Sequence, residues 1–202
     1  MAKLFRKNFF IFKKFVIKSF FDFTVVLFFL PLLLSIMLII FVIILLVDGL
    51  PVFYVSKRIG LNGIKFNMIK FRTLKNNAPI VSSENFLKLK KNYYTKTGKF
   101  LKSNKLDELP QIINVLKTEM SLVGPRPALY KQRKLIELRK RKKIDLIKPG
   151  ITGLAQINNY KVKTLKDKLS FDYYYLKNKS FFLDIQIILL TFKSILRLQN
   201  EK

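Results

Sequence analysis

The run 23-FTVVLFFLPLLLSIMLIIFVIILLV-47 holds 25 consecutive residues without a charge. About 20 apolar residues suffice to cross a hydrocarbon core, so this run predicts a membrane helix around which the rest of the chain must be arranged. It is too long for the apolar core of a cleaved signal peptide, and no small-residue cleavage site follows it. Six basic residues precede it (Lys3, Arg6, Lys7, Lys13, Lys14, Lys18), and six follow at Lys57, Arg58, Lys65, Lys70, Arg72 and Lys75. A span normally has its basic excess on one flank, and here both flanks are basic. Pro31 lies inside the run, where it removes a backbone donor and favours a break. A segment that enters the bilayer and returns to the same face accounts for both features. The alternative is an ordinary span with a tolerated proline.

Composition narrows the chemistry. The 202-residue chain carries 39 Lys plus Arg against 12 Asp plus Glu, a net charge of +27, yet half its residues are hydrophobic. It has no Cys and no His, which excludes disulfides, thiolate zinc sites, Ser–His and Cys nucleophile systems and imidazole acid–base catalysis. Any catalysis must therefore use carboxylates, Lys, Arg, Tyr, hydroxyls or a hard metal ion. The positive charge calls for a polyanionic partner: nucleic acid, anionic lipid or a phosphate-bearing substrate.

Beyond the apolar run, Asp48-Gly49 and Pro51 end the helix. Asn62-Gly63, followed by alternating Ile64, Phe66 and Met68, predicts a β-hairpin near 52–72 with a type I′ turn. Residues 84–104 have a helical pattern with a break near Gly98. Ile112, Ile113, Leu116 and Met120 fall at helical spacing. Nine Lys or Arg lie between Lys131 and Lys148, most simply as a membrane-facing or solvated surface. The stretch 149-PGITG-153 is a turn or a nest of backbone amides for an anion. The last element, near 180–199, predicts an amphipathic helix lying in the interface or packed on the domain. The fold class is thus α+β and mostly helical, with a membrane-anchoring segment at 1–50 and a second domain at 51–202, which the resemblance set out below implies to be a small cytosolic catalytic domain.

In 105-KLDELPQ-111, Asp107-Glu108 is the one adjacent acidic pair of the chain. Pro110 is tolerated in the first turn of a helix, which puts both acids at a helix start. There the macrodipole lowers their pKa and keeps them ionised. That alone is an ordinary stabilising arrangement. As chemistry, ionised carboxylates are Mg²⁺ ligands that leave room for substrate phosphates, and an Asp can attack phosphorus. Downstream, 124-GPRP-127 stiffens the backbone about Arg126, whose planar fork suits phosphate oxygens.

The order of these motifs is more specific than any one of them. The apolar segment with Pro31, 57-KRIGLNGIKFNMIKFRT-73, LDELPQ, 120-MSLVGPRP-127, 148-KPGITGLAQIN-158 and 172-DYYYLKN-178 together resemble the monotopic phosphoglycosyl transferases of bacteria, also called bacterial sugar transferases. The resemblance covers roughly residues 20–197. It implies transfer of a phosphosugar from a UDP-sugar to polyprenyl phosphate with release of UMP. It implies Asp107 as the nucleophile, forming a covalent phosphosugar intermediate, Glu108 as the Mg²⁺ ligand and Arg126 as a phosphate-binding group. Lys102 and Arg72 join the phosphate-binding candidates, and Asp172 either supports the site or caps a helix. It also implies a re-entrant helix broken near Pro31, at the cytoplasmic face of a bacterial inner membrane, among membrane lipids and with no nucleic acid partner. The chain departs from the family pattern at Leu30, usually Ser, at Lys102, usually Arg, at Lys105, often Ser, and at Leu154, usually Trp. Lys102 keeps the charge but loses the bidentate fork.

A competing expectation is a membrane-anchored basic protein that binds nucleic acid or anionic lipid without catalysis. Phosphate neutralisation needs only Lys and Arg. It gives no role to Asp107-Glu108, which would repel such a partner. No motif reads which sugar is carried.

Overall fold

The computed structural model describes residues 2–79 and 93–200, with side chains from residue 16 to 79 and from 93 to 195. The apolar run lies in α1 (Ala2–Asp48), a helix of 47 residues. The helix passes through Pro31 without interruption, which corrects the expected break. A proline removes one N–H but its φ is helical, and the Ser35 hydroxyl donates to the Pro31 carbonyl at 3.1 Å. Side chains at Asp22, Val26, Met37, Ile40 and Ile44 are buried, with Leu30 and Leu33 partly so. These positions recur every three or four residues and form one stripe down the helix. The other faces stay apolar and exposed, as at Phe28, Leu38 and Leu46.

The stripe packs on a core shared with the domain, in which Phe66, Met68, Phe71, Ile112, Val115 and Met120 join Val26 and Ile44. Both ends of the apolar segment are tied to that domain. At one end Lys18 pairs with Asp184 at 2.5 Å. At the other, Asp48 accepts from the Lys96 amide at 2.9 Å and from the Thr97 hydroxyl.

β1 (Phe53–Ile59) and β2 (Lys65–Phe71) form the expected hairpin, in register from Phe53 opposite Phe71 to Ile59 opposite Lys65. Asn62 and Gly63 both have positive φ, 54° and 76°, as Asn-Gly favours. The connection is longer than a two-residue turn, however, because a 3₁₀ turn at Leu61–Gly63 lies between the strands. β4 (Ala128–Leu129) adds to β1, giving the order β2-β1-β4. Of the helix expected over 84–104, residues 84–92 lie outside the described ones. Gly98 begins a helix, α2 (Gly98–Ser103), instead of breaking one. A Cβ at Gly98 would lie 2.0 Å from the Thr73 carbonyl oxygen, so the glycine is there for close approach.

α3 (Gln111–Leu116) is shorter than the periodicity suggested, and β3 (Ser121–Val123) follows. β5 (Gly150–Thr152) pairs with β3 in parallel. Thus 149-PGITG-153 supplies a strand, not a turn or an amide nest. Gly124 and Gly150 touch backbone to backbone, since a Cβ on Gly150 would fall 2.0 Å from the Gly124 nitrogen. The remaining helices are α4 (Arg133–Arg141), α5 (Leu154–Ile157), α6 (Leu165–Asn178) and α7 (Phe181–Asn200). Ile187 of α7 is fully buried while Phe182, Leu189 and Phe192 are exposed, which bears out the amphipathic reading.

Candidate active site

Asp107 and Glu108 lie in a 3₁₀ turn, Leu106–Glu108, entered through Lys105 in the left-handed region at φ 60°. They do not begin the helix, because α3 starts only at Gln111 and is six residues long. Both acids are buried, at 5% and 9% exposure, so the dipole expected from sequence is replaced by specific cations. Lys70 Nζ donates to Glu108 Oε1 at 2.5 Å, and Arg126 Nη2 donates to the same oxygen at 2.9 Å. Asp107 Oδ2 is 3.9 Å from Lys70 Nζ, and Asp107 Oδ1 is buried without a hydrogen-bond partner.

These contacts split the pair. Burial would raise the Glu108 carboxyl, but Arg126 and then Lys70 outweigh it and hold the group far below the usual carboxylate range. Burial pushes the Asp107 carboxyl up, Lys70 opposes the shift, and the Glu108 charge adds to it. The expectation that both pKa values fall therefore holds for Glu108 and fails for Asp107. Desolvation penalises a charge unless a close counter-charge offsets it, and Arg126 and Lys70 both close on Glu108.

The elements that build this arrangement are far apart in sequence. Lys70 is on β2, and Asn114 of α3 fixes that strand. The Asn114 side-chain amide accepts from the Ile69 N–H at 3.1 Å and donates to the Asn67 carbonyl at 2.8 Å. It thus takes the place of a neighbouring strand along the free edge of β2 and brings the α3 segment up against Lys70. Arg126 is held through its backbone: Arg139 Nη1 donates to the Arg126 carbonyl at 2.8 Å. Arg139 is in turn buried against Asp172, with Nη2 to Oδ2 at 2.7 Å. Asp172 is therefore a support of the GPRP loop and not a helix cap; Thr164 caps α6, in a capping box with Asp167. One member of the basic cluster at 131–148 is thereby interior.

The other candidates divide. Lys102 is half-buried with its ammonium 5.5 Å from the centre of the Tyr94 ring. Burial lowers its pKa, and Asp107 is the leading charge that opposes the shift. Arg72 points elsewhere: its Nη2 donates to the carbonyls of Asp48 and Gly49 at 2.7 and 2.6 Å. It closes the C-terminus of α1, where a cation is favoured, and among the described residues it makes no ion pair with either acid. Pro31 belongs to α1, away from this constellation. Sequence reading did not single out Lys70, Arg58, Asn114 or Arg139. Arg58 Nη1 reaches the Pro127 carbonyl at 3.4 Å, and burial, followed by the Arg126 charge, lowers its pKa to about 10. The alternation of β2 could have flagged Lys70, which shares its face with the buried Phe66 and Met68.

Among the described residues no group of three or more His, Cys, Asp or Glu surrounds a common point. Two adjacent carboxylates, one with an unpartnered buried oxygen, fit a hard cation that takes one or two carboxylates and completes its shell with substrate oxygens.

Comparison with known proteins identifies the family. The family model described as bacterial sugar transferase matches residues 13–198. The chain is 38% identical over 181 residues to the uncharacterized sugar transferase EpsL of Bacillus subtilis, covering 90% of this chain and 88% of that one. It is 34% identical over 169 residues to the exopolysaccharide production protein ExoY of Rhizobium meliloti, covering 73% and 71%. It is 38% identical over 150 residues to the UDP-glucose:undecaprenyl-phosphate glucose-1-phosphate transferase of Xanthomonas campestris. That match takes in 70% of this chain but 31% of the relative, so the chain spans about a third of that longer protein. A match over residues 13–198, which takes in the apolar run of α1, the acidic pair and the amphipathic last helix, establishes that the chain belongs to the bacterial sugar transferase family.

Proposed function

We propose that the protein moves a phosphosugar from a UDP-sugar to polyprenyl phosphate, giving polyprenyl-diphosphate-sugar and UMP. The observation that carries this reading is the electrostatic split of a buried adjacent pair: Glu108 clamped as an anion by Lys70 and Arg126, Asp107 with an oxygen left unpartnered. Relatives named as UDP-glucose:undecaprenyl-phosphate glucose-1-phosphate transferases support the donor and acceptor classes.

In the first step an Asp107 carboxylate oxygen attacks the phosphorus that bears the sugar. The P–O bond to the uridylyl group breaks, UMP leaves with that bonding pair, and an acyl phosphosugar stays on Asp107. In the second step a phosphate oxygen of the polyprenyl phosphate attacks the same phosphorus. The Asp107–phosphorus bond breaks and the free carboxylate returns. A carboxylate with a raised pKa is, once ionised, a better nucleophile than an ordinary one. Arg126, with Lys102 beside Asp107, binds phosphate oxygens and offsets the charge that develops on them. Asp107 and Glu108 are the residues that would hold Mg²⁺, and such an ion supplies Lewis-acid neutralisation of phosphate charge.

The exposed apolar faces of α1 support residues 1–50 as a membrane anchor with those faces in lipid, and residues 51–202 as a catalytic domain at the cytoplasmic face. Because α1 is continuous through Pro31 and tied to the domain at Lys18 and at Asp48, it packs along the domain and does not turn back within the bilayer.

The test is UMP release by detergent-purified protein given polyprenyl phosphate, Mg²⁺ and each of a panel of UDP-sugars. Asp107→Asn abolishes release with any sugar that the wild type uses, and a variant that turns over normally overturns the nucleophile assignment. A reagent confined to the periplasm labels neither terminus; labelling of one terminus alone establishes a span.

A further inference from the structure

A concavity lies outside the acidic site, beside residues 17–22 of α1. It has a volume of about 310 Å³, and neither Asp107, Glu108 nor Arg126 lines it. Part of its lining is apolar: Ile17 and Phe21 of α1, Val123 of β3, Ile147 and Phe181. The polar part of the lining is bonded internally. Ser121 Oγ donates to Asp22 Oδ2 at 2.5 Å, the Tyr175 hydroxyl lies 2.7 Å from Asp184 Oδ1, and Lys18 Nζ bonds Asp184 Oδ2 at 2.5 Å. Lys148 and Lys179 complete the lining, and Lys148 Nζ donates to the Ser19 hydroxyl at 3.1 Å. Three lysines against two carboxylates leave the lining one positive charge in excess, with both carboxylates engaged in internal bonds.

The surroundings of the cavity are those of a membrane surface. Ile17 and Phe20 on α1 are 59% and 71% exposed, and Phe181 and Phe182 at the start of α7 are 52% and 83% exposed. These side chains continue the exposed apolar face of α1 to the edge of the cavity. Its volume stands at the lower end of the roughly 300–1,000 Å³ of small-ligand sites. That accommodates a headgroup and the first carbons of a chain whose remainder stays in the bilayer.

We propose that this cavity binds the phosphate headgroup of one membrane glycerophospholipid, with the phosphate beside Lys148 and Lys179 and the start of an acyl chain against Ile17, Val123 and Phe181. The apolar part of the lining accounts for a lipid in preference to a free anion. The separation of the lining from Asp107 and Glu108 accounts for a resident lipid in preference to the reacting acceptor. A lipid held there touches α1, β3 and α7 together, and β3 leads directly into the loop that carries Arg126.

The test is native mass spectrometry of the detergent-purified full chain titrated with dioleoylphosphatidylglycerol, with no UDP-sugar present, so its outcome is independent of the proposed reaction. The wild type retains one lipid, and Lys148→Ala/Lys179→Ala weakens retention roughly thirtyfold, from the usual contribution of two lysines near an anionic lipid. A phosphatidylglycerol with a photoreactive acyl chain cross-links the wild type at residues 17–21, 121–123 or 180–184, which requires no variant. Equal retention by the double variant, or cross-links spread evenly along the exposed face of α1, overturns the proposal. Displacement of the lipid by millimolar inorganic phosphate identifies a soluble-anion site instead. Displacement by one equivalent of polyprenyl phosphate identifies the acceptor's own site.

Discussion

Lys70 Nζ donates to Glu108 Oε1 at 2.5 Å, joining the hairpin to the acidic turn across 38 residues of sequence. Both side chains are about nine-tenths buried, so neither charge has water to fall back on. Removing one partner of an isolated buried pair costs about 3–5 kcal/mol, but here Arg126 still compensates the Glu108 charge at 2.9 Å, so the loss is smaller. Lys70→Met is therefore expected to lower stability by about 1–3 kcal/mol, read as a denaturant midpoint, and to abolish UMP release. Lys70→Arg keeps the charge; its retained fold with impaired turnover separates the catalytic loss from unfolding.

Asp107→Asn should have the opposite effect on stability. The Asp107 carboxyl has a folded-state pKa above its ordinary value of 3.8, so at any pH above that raised value folding holds an ionised group at a penalty. The penalty is relieved as pH falls through the raised pKa. The isosteric amide removes the charge, so at a pH above that raised value Tm is expected to rise by about 2–4 °C for each kcal/mol recovered. A fall in Tm would show that the carboxylate is net stabilising where it stands.

The same shift governs the pH profile. The attacking group must be ionised, so the acid limb of kcat is expected to lie above the ordinary carboxylate range, displaced upward in the direction of the Asp107 shift. Glu108, whose pKa is held low, remains an anion throughout. A limb at or below pH 3.8 would exclude Asp107 as the titrating group.

Asp172 acts on the site at one remove, through Arg139 and the Arg126 carbonyl. Asp172→Asn keeps a hydrogen-bond acceptor but removes the charge that compensates the buried guanidinium. The expected outcome is a destabilisation of about 1–3 kcal/mol and a raised KM for the UDP-sugar, since the loop that presents Arg126 loses its fixed backbone. An unchanged KM with only a lowered Tm would reduce Asp172 to a packing role.

Gly150→Ala tests the contact between the two motif loops. A Cβ there would fall 2.0 Å from the Gly124 nitrogen and 2.4 Å from the Thr152 carbonyl oxygen, both backbone atoms that a rotamer change cannot move. Strand pairing between β3 and β5 must give way, so loss of more than about 3 kcal/mol is expected, read as loss of a cooperative thermal transition. Gly63→Ala, where a Cβ meets nothing within 4 Å but φ is +76°, should cost only about 1–2 kcal/mol.

Reading the sequence located the acidic pair, Arg126 and the hairpin from local signals: adjacency, two flanking prolines and an Asn-Gly dipeptide. It missed Lys70 because that residue is one of 39 cations, and nothing local says which of them faces inward. Nothing local marks Asn114, whose amide replaces a strand partner of β2. The position of Arg72 in a motif suggests a phosphate ligand, whereas its guanidinium closes the end of α1. The missing donor of Pro31 suggests a break, yet α1 runs on through it.

Sequence by itself determined that a 25-residue apolar run accompanies one adjacent acidic pair in a strongly basic chain without His or Cys, because residue type and local spacing fix hydropathy and the available chemical groups. Only the tertiary structure decided that Glu108 and Asp107 titrate in opposite directions, and that one stripe of the apolar helix packs against the domain. Desolvation and charge pairing act through space within a few ångströms. The groups that control them here come from segments 38 residues apart, Lys70 to Glu108, and 166 residues apart, Lys18 to Asp184.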